Sequence, residues 1–373
     1  MPRFSATCLW TTALLPLGMA AHAQDDAARI AALEQRIAAL EADNAAPLSF
    51  GEGTGTTLEL YGYVKLDAIY DYGYELGDST FALAGIGASS ATGDFFTATI
   101  RQTRLGLRTT TATPLGDLAT QVEIDFYGAD QIEPRLRHAT ATLGGLRVGQ
   151  YWTQFMPLAS YPATLDFQGV AGIPFARQEQ IAYTFDLTDA LSATASIEDA
   201  NGDSDNAVLI GALAYDSDAL LLRGSALYGN VNDGTGGQQD IFGVNLSASA
   251  DLWQGASVDA AYTTGKGIAS YMVFTGDDLD AAGDPIALQA AYVGLSQGIG
   301  DKWTLRGIYG WRDNDAGTGP DSTETLTTTH LNVQYQLVEN VTLGAEYFHG
   351  TRDTFAGGSF DVDRIQTAVQ IDF

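Results

Sequence analysis

Arginine dominates the basic residues of this chain. Of its 18 Lys and Arg residues only Lys65, Lys266 and Lys302 are lysines, and eight basic residues lie between positions 65 and 177: Lys65, Arg101, Arg104, Arg108, Arg135, Arg137, Arg147 and Arg177. A guanidinium group presents a planar fork that grips carboxylates in pairs, and it stays charged at any working pH. The chemistry open to such a cluster is the binding of small anions. The cluster flanks one long connection, residues 153–176, which is apolar and aromatic (Phe155, Met156, Tyr161, Leu165, Phe167, Ile173, Phe175) and carries Asp166 as its main charge. A connection so apolar avoids water, so it is expected to turn inward, or else to pack over a neighbouring subunit. Any one arginine can equally form a structural salt bridge to an acid such as Asp67, Glu123 or Asp125.

No set of residues suited to bond-making chemistry accompanies the arginines. His138, His330 and His349 are dispersed, and there is no H-E-x-x-H or C-x-x-C. The chain is therefore not expected to be an enzyme, and no cofactor or metal is implied. The acidic stretch Asp199 to Asp205 could bind calcium weakly but lacks the spacing of a calcium loop. A formal net charge of −28 argues against nucleic acid as a partner. The acids concentrate in loop-like stretches, Asp199 to Asp205, Asp277 to Asp284 and Asp313 to Asp321, whereas the bases fall mostly within strand-like segments.

The elements that must position the arginines show a period of two from Thr57 onward. Leu58, Leu60, Val64, Leu66, Ala68 and Tyr70 alternate with Glu59, Lys65, Asp67 and Asp71; Val122 and Ile124 alternate with Glu123 and Asp125; Phe242, Val244 and Leu246 alternate with Asn245 and Ser247; Ile365, Val369, Ile371 and Phe373 alternate with Arg364, Gln366 and Asp372. About 16 such segments of roughly 10 residues repeat to the end of the chain, the length a tilted strand needs to cross a bilayer. Short turns (for example Leu143 to Gly145 and Val338 to Asn340) alternate with long, acidic, Gly-rich loops (Asp71 to Phe96, Gly265 to Pro285, Arg312 to Glu324). The fold class is all-β: a 16-stranded antiparallel transmembrane β-barrel, too wide to be filled by its own wall, with an aqueous lumen. Aromatics near strand ends (Tyr61, Tyr151, Trp152, Trp253, Trp303, Trp311, Phe373) suit interfacial girdles.

A charge facing lipid at mid-depth costs about 2–4 kcal/mol, so the alternation turns Arg104, Arg108, Arg147, Arg306 and Arg312 into the lumen. Arg101 has the wrong parity relative to Arg104 and requires a bulge or a position above the membrane. Strict alternation in the fourth strand puts Leu136, His138 and Thr140 outside, opposite Arg135 and Arg137.

Ahead of the barrel, Arg3, the apolar stretch Leu9 to Ala20 and Ala21-His22-Ala23 have the layout of a secretory signal, residues 1–23, with cleavage before Gln24. Residues 24–44 carry a short heptad: Ile30, Leu33, Ile37, Leu40 and Asn44 fall at a and d positions, with Arg29, Arg36, Glu34 and Glu41 at g and e. A lone amphipathic helix is the alternative. Ile at a with Leu at d leans towards two strands, so the heptad alone does not specify a trimer. Residues 45–56 read as a linker, and the barrel occupies residues 57–373.

Several blocks resemble one family. The coiled-coil stub, ELYGYVKLDAIYDY (Glu59 to Tyr72), RQTRLGLRT (Arg101 to Thr109), PRLRHA (Pro134 to Ala139), GQYWTQFMPL (Gly149 to Leu158), YPATLDFQG (Tyr161 to Gly169) and RQEQIAYTF (Arg177 to Phe185) are similar to the DcaP-like outer-membrane porins. The resemblance implies a homotrimer of 16-stranded barrels in outer-membrane lipid of a Gram-negative bacterium, a periplasmic N-terminal coiled coil, a terminal Phe read during barrel assembly, and uptake of small anions, dicarboxylates among them. Together these readings place a pore constriction at Arg101, Arg104, Arg108, Arg135, Arg137 and Arg177, facing Asp166. The competing reading is a general or cation-preferring diffusion porin, in which the acids outweigh the arginines.

Overall fold

The computed structural model describes residues 48–50, 55–129 and 132–373. The chain divides into Met1–Ser49 and Phe50–Phe373, and nearly all described residues belong to the second unit. The signal sequence and the heptad therefore lie outside the described residues. So does most of the linker, although Leu48–Phe50 within it is a short strand, β1.

The barrel runs through β2 (Thr56–Tyr72), β3 (Phe95–Thr99), β4 (Arg104–Thr113), β5 (Gly116–Asp125), β6 (Arg135–Leu143), β7 (Leu146–Trp152), β8 (Arg177–Asp186), β9 (Leu191–Glu198), β10 (Val208–Ser217), β11 (Leu220–Asn232), β12 (Gln238–Trp253), β13 (Ala256–Lys266), β14 (Ala287–Ile299), β15 (Trp303–Asn314), β16 (Thr323–Val338), β17 (Val341–Thr354) and β18 (Ser359–Asp372). Each pairs antiparallel with its sequence neighbours, and β18 closes on β2 from Asp363 opposite Tyr72 to Asp372 opposite Tyr63. β3 pairs with the far half of β2 and β4 with the near half, so these two are one broken stave. Counted that way, the described residues form a closed barrel of 16 staves. Closure removes both sheet edges, the condition for a sheet to sit in lipid. Among the described residues no helix is long and apolar enough to cross a membrane.

Alternation sets the two faces. Leu60, Leu66, Leu246 and Ile365 are exposed on the outer face, while Lys65, Asp67, Asn245 and Arg364, their alternating neighbours, are buried on the inner one. Two local departures re-aim the arginines. The break between β3 and β4, residues 100–103, resets the parity and leaves Arg101 in a turn. In β6 the register with β5 shifts: Glu123 lies opposite His138 but Ile124 lies opposite Leu136. Arg137 is the extra residue of this β-bulge, so Arg135, Arg137 and His138 all face inward, and Thr140 joins the face of Gln121. This corrects the outward placement of His138 and Thr140. Leu136 does face out.

The aromatics divide likewise. Trp253, Trp303 and Phe373 are exposed on the outer face. Tyr61, Tyr151 and Trp152 instead turn inward, against Arg108, Arg147 and Phe175 respectively, and are no part of a girdle.

Candidate functional site

Residues 153–176 leave β7 and cross the barrel interior before returning at β8. Their backbone is gripped by inward side chains from almost every part of the wall. Arg223 of β11 donates to the Gln154 carbonyl, and Ser225 to that of Phe155 at 3.2 Å. Tyr292 of β14 donates to Ser160 O at 3.0 Å, and Ala171 N donates to Thr328 Oγ1 of β16 at 2.9 Å. At the tip, Lys65 Nζ of β2 donates to Leu165 O at 2.8 Å, and Leu165 N donates to Glu346 Oε2 of β17 at 2.8 Å.

The wall makes room for the loop by omitting side chains. A Cβ on Gly243 would come within 2.8 Å of the Phe155 ring, one on Gly294 within 2.5 Å of Pro162, one on Gly310 within 2.1 Å of the Ala171 carbonyl oxygen, and one on Gly344 within 2.6 Å of Leu165. Each of these glycines occupies an inward position, so the loop's path is written into β12, β14, β15 and β17.

Two other connections share the interior, contrary to their reading as ordinary external loops. In residues 73–94, Leu76, Leu83 and Ile86 are buried. In residues 267–286, Tyr271, Met272, Val273 and Phe274 are buried, and Phe175 N and Val273 N knit this segment to the first loop through Tyr271 O and Ile173 O at 2.7 and 2.9 Å. The apolar runs Phe81 to Ile86 and Tyr271 to Phe274 are the signal in the sequence that points to this.

Beside the crossing loop lies a cavity of about 410 Å³. Its basic lining is Arg104, Arg108 and Arg137, its carboxylates are Glu123 and Asp166, and Tyr161, Phe167 and Phe175 of the loop form the facing wall. The arginines are held by rings as well as acids. Arg108 sits 3.8 Å over Tyr61 and Arg104 5.2 Å over Tyr63; Arg137 and Arg135 lie 5.5 and 5.6 Å from Phe167; Arg101 and Arg135 share Tyr127; Arg137 and Arg177 share Trp152. The shared rings link Arg101, Arg135, Arg137 and Arg177 in one row, and Glu123, which meets Arg137, Arg104 and the Tyr61 hydroxyl, joins Arg104 and Arg108 to its end, so the six arginines singled out from the sequence form one ladder. Burial holds the Tyr127 phenol above its usual range and pushes that of Tyr161 up to about 12, so both loop rings stay neutral.

Most of the ladder is ion-paired. Arg137 bridges Glu123 and Asp125 at 2.8 Å each, Arg135 meets Asp125 at 2.7 Å, and Arg101 meets Asp78 at 2.8 Å. Arg104 and Arg108 have looser partners, Glu123 at 3.5 Å and Glu59 at 3.7 Å, and Arg108 is the most exposed of the five. Arg177 has no carboxylate within 4 Å among the described residues. Asp166 departs from its expected role. The loop faces the arginine ladder through Phe167, while the Asp166 carboxylate is turned away, onto Arg364 at 3.2 Å and the hydroxyls of Ser79 and Thr80 at 2.8 and 2.9 Å. Arg364 also holds Asp71 at 2.6 Å. No group of three or more His, Cys, Asp or Glu suited to a metal occurs among the described residues.

A search of curated proteins finds no match. Among solved structures, the outer membrane channel DcaP of Acinetobacter baumannii aligns with a TM-score of 0.79 at 23% identity, over 87% of this chain and 99% of that one. An anion-selective porin from Comamonas acidovorans aligns at 0.59 and 17% identity, over 85% and 100%. The trimer form of OmpT from Vibrio cholerae aligns at 0.55 and 14% identity, over 86% and 100%. These likenesses share the fold. The family profile described as DcaP outer membrane protein matches residues 34–284, which hold the entire arginine ladder and the crossing loop. With a closed 16-stave barrel around a polar interior, the chain belongs to the DcaP family of Gram-negative outer-membrane porins.

Proposed function

We propose that this porin passes small organic anions, dicarboxylates among them, through a constriction formed where the crossing loop faces the arginine ladder, and that it works as a homotrimer in outer-membrane lipid. The observation that carries the reading is the charge balance of the chamber. Three arginines line it against two carboxylates, and one of these, Asp166, already has Arg364. Arg104 and Arg108 keep guanidinium surface free for a solute.

Attraction between unit charges at 4 Å is about 1 kcal/mol in bulk water and several-fold larger beside a low-dielectric wall. The acids of the external loops are screened beyond about 8 Å at physiological salt, so a narrow arginine-lined passage favours anions even in a chain of net charge −28. A dicarboxylate engages two guanidinium groups at once. The anion selectivity in the name of the Comamonas neighbour, and the trimer in that of the Vibrio one, are consistent with this reading.

The second reading, a general or cation-preferring porin, rests on the ion pairs: each of Arg101, Arg104, Arg108, Arg135 and Arg137 has a carboxylate within 4 Å. Reversal potential across a planar bilayer under a salt gradient decides between them. The wild type should favour chloride over potassium, and Arg104→Gln combined with Arg108→Gln should shift the potential towards cations and reduce succinate flux. A wild-type preference for potassium, with succinate flux unchanged in the double variant, establishes the second reading.

A further inference from the structure

Four arginines are buried among the described residues: Arg137, Arg312, Arg352 and Arg364. Arg137 and Arg364 each have two carboxylate partners within 4 Å. Arg312 and Arg352 have none within that distance, although the Asp321 carboxylate acts on Arg352 from farther off, and these two line one pocket. A buried charge without a counter-charge is costly, and a protein keeps one where something supplies that counter-charge.

The pocket is about 240 Å³ in volume, and its polar lining includes Asn314, Ser322 and Thr323. It stands at the end of the barrel opposite the short turns, since Arg312 and Arg352 lie near the last residues of β15 and β17. Arg312 spends only Nη1, which donates to the carbonyls of Val273 and Phe274 at 3.2 and 2.7 Å; its Nε is buried with no partner, and no hydrogen bond engages Nη2. The Nε–Nη2 edge is one that takes a carboxylate or phosphate bidentately. Arg352 is set in place by Thr323 Oγ1 and Ile86 O, both at 2.8 Å, and by the Asp321 carbonyl, all neutral acceptors. Phe274, whose carbonyl aims Arg312, has φ 54° and is the one non-glycine with positive φ among the described residues. Backbone strain of this kind persists where the surroundings impose it, often at ligand sites. One carboxylate, Asp277, also lines the pocket; it accepts from Thr318 Oγ1 at 2.9 Å and forms no ion pair with either arginine.

We infer that Arg312 and Arg352 form an outer anion-binding subsite, separate from the inner chamber, that takes a small divalent oxyanion or dicarboxylate on the external side of the crossing loop. Its volume admits an ion of that size, and its two cations outnumber the one lining carboxylate, Asp277. It holds anions at the entrance against the repulsion of the acidic external loops.

Crystals of the purified protein soaked in selenate, a dianion visible by anomalous scattering, test the site. The expected result is a selenium peak within hydrogen-bonding reach of both guanidinium groups, lost in Arg312→Gln. Wild-type crystals without that peak, or a peak that survives in Arg312→Gln as an adventitious ion only, overturn the inference. If Arg312→Gln does not fold, Arg352→Gln is measured in single channels with sulfate on the loop side. The concentration that halves the chloride current should rise roughly tenfold, as loss of a charge-assisted hydrogen bond implies; an unchanged concentration again overturns it. Because selenate is located at the outer end, this test can fail while the inner-chamber reading stands, and the reverse.

Discussion

Arg364 on the closing strand β18 holds Asp166 of the crossing loop at 3.2 Å while clasping Asp71 of β2 at 2.6 Å. One side chain thus ties the loop tip to the seam where the barrel closes. Removing one partner of a buried pair leaves an uncompensated charge and costs about 3–5 kcal/mol. Arg364→Gln strands two carboxylates, so it should free the loop tip. Single-channel recordings should show higher mean conductance and added open-channel noise; a quiet channel of wild-type conductance would mean that the contacts of Leu165 and Ala171 suffice.

Glu123 is the acid that Arg104 and Arg137 share, at 3.5 and 2.8 Å. Glu123→Gln keeps the shape and removes the charge, releasing positive potential into the chamber. The reversal potential should move towards anions, opposite in sign to the arginine variants. A shift towards cations, or none, would falsify the assignment of the chamber as the selectivity site.

Arg137→Gln should differ from Arg108→Gln in stability as well as selectivity. Arg137 is buried on two carboxylates, whereas Arg108 is half exposed beside Glu59 at 3.7 Å. The first should lower barrel stability by about 3–5 kcal/mol and the second by at most about 1 kcal/mol. Urea unfolding in detergent micelles, followed by tryptophan fluorescence, measures both.

The inner-wall glycines make a steric prediction. A Cβ at Gly310 would stand 2.1 Å from the Ala171 carbonyl oxygen, a backbone atom that cannot swing away, whereas one at Gly211, which shares the outer face of β10 with Leu209 and Leu213, meets nothing within 4 Å. Gly310→Ala should cost about 1–3 kcal/mol by overpacking and displace the loop. Gly211→Ala should be neutral. Equal conductance and stability for the two variants would contradict the loop path described above.

The N-terminal readings are tested by mass. The protein isolated from outer membranes should begin at Gln24, and its intact form in mild detergent should have the mass of a trimer by native mass spectrometry. Deleting residues 25–44 should weaken that trimer without abolishing the barrel. Retention of residues 1–23, or a monomeric intact mass, argues against these assignments.

Much of the barrel is determined by sequence alone. A period of two with leucine, valine and phenylalanine on one face and acids and arginines on the other has one low-energy arrangement in a bilayer, and it sets the direction of Arg104, Arg108, Arg147, Arg312 and Arg364. Short turns such as Leu143 to Gly145 and Val338 to Asn340, and the bounds of the crossing loop, follow from glycine, proline and polar punctuation in the same way. What tertiary structure alone decided begins where periodicity fails. The bulge at Arg137 turns both it and His138 inward, because Glu123 and Asp125 across the strand pair offer that arginine charge partners that lipid cannot. The partner of Asp166 was equally out of reach of any pattern: Arg364 lies 198 residues away in sequence. The same holds for Arg312 and Arg352, whose lack of carboxylate partners emerges only when three loops fold into one lumen. Local alternation specifies which face a side chain takes; which charge it meets across an enclosed space depends on how distant staves and loops are packed together.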